Sequence, residues 1–108
     1  MITSVEPYAK FSKNSASPCI RFIFESGKQL VIPYIHSSSF EYEEGLLNCN
    51  FGNLIIQIEG AKLLPLLIDL QSFSVDFVRI GQFAEENSPR VTRLVSVNLR
   101  GIQNDLDD

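Results

Sequence analysis

The chain is poor in the residues that most often declare a function. It has two cysteines, Cys19 and Cys49, and one histidine, His36. Two cysteines cannot build the disulfide framework of a small secreted domain. With His36 they make three candidate zinc ligands, but a structural site needs four and no C-x-x-C spacing is present. No metal site is expected, and no cofactor. An Asp-x-Asp-x-Asp-Gly calcium loop is absent as well. Cations are scarce too: nine Lys and Arg stand against thirteen Asp and Glu, a formal net charge of −4. A general nucleic-acid binder needs a basic face to displace counterions from phosphates, so nucleic acid is an unfavoured partner. No apolar run reaches the ~18 residues a membrane helix requires, and Leu63–Leu70 is broken by Pro65 and Asp69. Residues 1–18 are polar and do not read as a secretory leader. No Asn-x-Ser/Thr acceptor occurs. Both cysteines lie in apolar segments and read as buried thiols acting as small hydrophobes. A cytoplasmic setting is the expectation.

What is present is a foldable composition: 44% hydrophobic, 20% charged and 10% aromatic over 108 residues. That is one domain, with enough apolar content to exclude a disordered chain. Residues 1–17 read as a loosely held arm, 18–101 as a single β-rich domain, and 102–108 as an acidic flexible tail.

Period-two alternation dominates the middle of the chain. Cys19–Glu25 places Ile20, Phe22 and Phe24 on one face and Arg21, Ile23 and Glu25 on the other. After Gly27 the chain returns over Gln29–Tyr34, and Pro33 puts this strand at an edge or ends it. Phe40–Glu44 alternates aromatic with acid. Leu46–Phe51 and Leu54–Glu59 follow, with turns at Gly45 and at Gly52-Asn53. The period then changes. Leu63, Leu66, Leu67 and Leu70 have helical spacing, and Pro65 confines the helix start to Lys62 or later. Ser74–Phe83 is a strand of imperfect alternation, explained by burial of both faces or by a bulge. Val91–Arg100 reads as a strand with Val91, Val95, Val97 and Leu99 inward and Leu94 the exception.

The expected fold class is α+β and mainly β. It has about seven antiparallel strands in a curled sheet or small barrel, with one short helix between strands five and six.

Catalytic chemistry finds little support. His36 is followed by Ser37, Ser38 and Ser39, with Glu41, Glu43 and Glu44 nearby, but neighbours on a short loop do not form a triad and no G-x-S-x-G elbow exists. Cys49 in mid-strand is poorly placed for a low-pKa thiolate. The acid pairs Glu41/Glu43 and Glu85/Glu86 read as solvated surface. Gly60-Ala61-Lys62, between strand and helix, is a suitable context for an anion contact, without a G-x-G-x-x-G or Walker pattern.

The leading expectation is therefore a protein-interaction or self-assembling module. Ile23, Ile55 and Leu94, on the second strand faces, are its candidate interface, and the partner is a protein or a second copy. The alternative is a small-molecule binder using the pocket of a curled sheet, with Tyr34, His36, Tyr42 and Cys49 as its polar groups. An RNA-binding strand surface is the third reading.

Overall fold

A computed structural model describes residues 5–10, 19–85 and 87–98. The expected acidic tail, Glu86, and most of the expected arm lie outside these residues.

Among the described residues, nine strands and one α-helix follow in order: β1 Tyr8–Lys10, β2 Cys19–Ile23, β3 Gln29–Pro33, β4 Ser39–Glu43, β5 Leu46–Phe51, β6 Leu54–Ala61, α1 Leu64–Gln71, β7 Val75–Arg79, β8 Gly81–Gln82 and β9 Arg90–Asn98. Two sheets form, ordered β1-β7-β2-β3 and β4-β5-β6-β9-β8. The protein is thus mainly β with one helix, as expected. The curled sheet or barrel is corrected to two separate sheets, neither closed. β1 adds a strand near the N-terminus, so the helix falls between the sixth and seventh strands. An all-antiparallel arrangement is also corrected: β2 and β7 run parallel, Arg21 beside Phe77 and Ile23 beside Arg79. Their connection runs through β3, three strands of the second sheet and α1, so no turn forces them to oppose.

The hairpins follow from local chemistry. Gly27, Gly45 and Gly52 all sit at positive φ in the turns β2–β3, β4–β5 and β5–β6, where a Cβ would be strained. β3 is an edge strand and stops at Pro33, which has no N–H for a further ladder bond. Tyr34–His36 then makes one 3-10 turn.

The two sheets face each other across one core. Ile20, Phe22 and Ile32 of the first meet Leu47, Cys49, Phe51, Ile56 and Ile58 of the second. The Phe22 and Phe51 rings touch edge-on at 5.9 Å, so the layers interdigitate. α1 packs on β4 and β7, one from each sheet, and buries Leu66 and Leu70, with Leu63 just before it. Pro65 is in its first turn, where the missing N–H costs no helix bond. The N-terminal segment ties the layers a second time. Val5 bridges Gln82 of the second sheet, while Tyr8 pairs with Val78 of the first.

Two bulges decide which side chains face inward. In β7 the register steps from Phe77 to Val75 against β1, skipping Asp76, so a bulge accounts for part of the imperfect alternation. The rest arises because the expected strand Ser74–Phe83 is two strands, β7 in the first sheet and β8 in the second. In β9, Arg93 faces Glu59 but Val91 faces Gly60, leaving Thr92 as the extra residue. That extra residue reverses the phase. Leu94 pairs with Ile58 in the core, while Val95 and Val97 turn to the outer face beside Gln57 and Ile55.

Candidate functional site

The four residues expected to line a pocket do not converge. Tyr34 is in the core, and its hydroxyl donates to the Val75 carbonyl at 2.7 Å. Burial pushes its pKa far up; the Val75 hydrogen bond opposes this only in part. Cys49 is fully buried in β5, and desolvation alone pushes its thiol far up, so it stays protonated at neutral pH. His36 is on the surface at the end of the 3-10 turn. Tyr42 is exposed on edge strand β4. The hydroxyls beside His36 serve the backbone instead: Ser37 Oγ donates to the Tyr34 carbonyl and Ser38 Oγ to that of Asn50. Among the described residues no group of three or more His, Cys, Asp or Glu is placed to hold a metal ion. No helix among them is long and apolar enough to cross a membrane.

The three expected interface residues also separate. Leu94 is buried by the fold itself, for the bulge reason given above. Ile23 and Ile55 are half-buried on the outer faces of different sheets. Each has polar company. Ile23 lies between Gln29 and Arg79, and Ile55 between Asn50 and Val97. Neither outer face is uninterrupted apolar surface.

The structure places an uncharged apolar face elsewhere, on the far side of α1. Leu64 and Ile68, one turn apart, are 50% and 54% exposed. The other exposed positions of the helix are Pro65 and Gln71. Its one charge, Asp69, is half-buried and ion-paired with Lys10 at 3.7 Å. Such a helix, apolar on its inner side and uncharged on its outer side, lacks the polar face that a solvated helix carries.

Phe73 extends this surface and is held there against its backbone preference. α1 ends in a Schellman arrangement: Phe73 N–H donates to the Leu70 carbonyl and Ser74 N–H to that of Asp69. The residue after the cap must then be left-handed, a position usually taken by glycine. Phe73 occupies it at φ 55°, with its side chain 45% exposed. For a bulky residue this is an outlier that costs about 1–2 kcal/mol. Its ring stacks on Tyr34 at 4.8 Å, and Tyr34 is followed by Ile35, 85% exposed. Sequence periodicity identified the helix but gave no sign of Phe73, because its signal is the phase at which the helix stops.

A hollow of about 400 Å³ lies at the other end of the helix. Ala61 and Lys62, Gln82–Glu85, Asn87, Ser88 and Arg90 line it. Ala61 and Arg90 are direct partners in the β6–β9 ladder, and Lys62, which follows Ala61, lines the same hollow as Arg90. Lys62 and Asn87 both have positive φ. A shallower apolar hollow of about 440 Å³ shares Gln82 and Arg90 and is completed by Val5, Ile80, Gly81, Val91 and Thr92.

Comparison with protein-family models, with curated proteins and with solved structures finds no match.

Proposed function

We propose that this protein is a self-associating interaction module, and that two copies meet through the outer face of α1 with Phe73 at its edge. The observation that carries the reading is Phe73 itself. A half-exposed aromatic ring is kept at a glycine position, beside a helix face with no charge on it. Backbone strain of this kind persists where a side chain is needed in one place. Charge favours a second copy as the occupant. The chain carries −4, so like surfaces repel over most of the molecule, and the uncharged face of α1 is where two copies approach at least cost. A two-fold contact there sets Leu64 and Ile68 against their own equivalents. A cytoplasmic setting belongs to the same reading, with Cys49 kept as a core thiol.

The test is sedimentation velocity over a dilution series, with Ile68→Lys as the variant. Ile68 is exposed, so the substitution leaves the core intact. Twice the chain mass at high concentration for the wild type, and the chain mass alone for the variant, is the expected result. A wild type that is monomeric throughout, or a variant that dimerises equally well, overturns the proposal.

A further inference from the structure

Most cations among the described residues have a side-chain interaction. Of nine Lys and Arg, Lys13 and Arg100 lie outside the described residues, which leaves seven. Lys10 pairs with Asp69, Arg21 with Asp76 and Arg93 with Glu59. Arg79 donates from Nε to the Glu6 carbonyl and lies over the Phe77 ring. Lys28 lies over the Phe24 ring. Lys62 and Arg90 remain, with no carboxylate in ion-pair range among the described residues, and both line the same 400 Å³ hollow.

Two like charges lining one hollow repel one another. In an acidic protein such a pair has carboxylates to spare for its neutralisation, yet Glu85, in the same wall, bonds to neither. The rest of the lining is rich in donors: the side-chain amides of Gln82 and Asn87 and the hydroxyl of Ser88. The volume lies within the range of small-molecule sites.

We infer that this hollow binds a small molecule through a phosphate group. Arg90 supplies the planar fork that matches a phosphate edge, and Lys62 supplies a point charge. Asn87, Ser88 and Gln82 donate to the remaining oxygens. Glu85 stands against the anion and limits its affinity. The site is independent of the α1 face, and its failure leaves the self-association reading untouched.

Amide chemical-shift titration of the whole chain with inorganic phosphate at low ionic strength tests the inference, with chloride as the control anion. Saturable shifts confined to Ala61, Lys62, Gln82–Glu85, Asn87, Ser88 and Arg90 are expected, with a dissociation constant of about 1 mM or tighter. Lys62→Met and Arg90→Met should each weaken binding about tenfold, since each removes one charge-assisted contact. Glu85→Gln should tighten it. Arg79→Met removes a cation outside the hollow and should change nothing. The inference fails if no saturation is seen, if chloride gives the same shifts, or if Arg79→Met weakens binding as much as Arg90→Met.

Discussion

Replacing Phe73 by glycine and by alanine separates what its backbone does from what its ring does. Both variants lose the Tyr34 stack, about 0.5–1.5 kcal/mol. Both also lose the burial of roughly half a phenyl ring, about 1 kcal/mol. Only the alanine variant keeps the left-handed penalty of about 1–2 kcal/mol. Glycine regains that sum but costs about 0.5–1 kcal/mol of extra chain entropy. The glycine variant should therefore be the more stable of the two by about 0.5–1 kcal/mol, against the usual order of these residues. In a domain this size that is a difference of several degrees in Tm. Urea unfolding of both variants, followed by far-ultraviolet circular dichroism, gives the number. An alanine variant equal to or more stable than the glycine variant refutes the left-handed argument. Self-association gives the second reading, because both variants lack the ring and both should be monomeric. A glycine variant that dimerises like the wild type would leave Phe73 a purely structural residue.

Other outcomes follow from single contacts. Tyr34→Phe strands the Val75 carbonyl in the core and should cost about 1–3 kcal/mol in urea unfolding. Burial raises Cys49 above its ordinary value of 9.0 and Tyr34 above 10.0, so the folded state holds protons that the unfolded state releases. Stability should be level below pH 9 and fall above it, by about 1.4 kcal/mol per pH unit for Cys49 alone. Cys49→Val should move the onset of that fall up toward pH 10, and an unchanged profile would contradict the assignment. Gly60→Ala drives a Cβ into the Arg90 carbonyl oxygen and should cost about 3 kcal/mol, read by thermal unfolding, with loss of phosphate binding.

Much of the second sheet was readable from residue pattern, because β4, β5 and β6 are joined by tight turns and their period-two faces are set by neighbours in sequence. Leu63, Leu66 and Leu70 marked the buried side of α1 for a similar reason. The features that escaped are non-local. β1 is three residues long and owes its existence to β7, on the far side of the helix. The parallel β2–β7 pair has no turn to announce it. In β9 one inserted residue, Thr92, moved Leu94 inward and Val95 and Val97 outward, and alternation cannot show an insertion that only the partner strand defines. The candidate sites follow the same division. Gly60-Ala61-Lys62 is legible as an anion context, but Arg90 joins it only through strand pairing. Tyr34, His36, Tyr42 and Cys49 share a chemical type; the fold puts Tyr34 and Cys49 in one core and leaves His36 and Tyr42 on the surface.

The parallel neighbours β2 and β7 also dictate an order of events during synthesis. The β4–β5–β6 meander can close as soon as it leaves the ribosome, since each strand meets the one just made. The first sheet cannot. Tyr8 waits for Val78, and Arg21 for Phe77, so the hairpin of β2 and β3 stands with one edge open until most of the chain has emerged. Contacts of that span make folding slow relative to a helical domain of equal length. The open edge of β2 is meanwhile the place where a nascent chain is most exposed to wrong strand pairing.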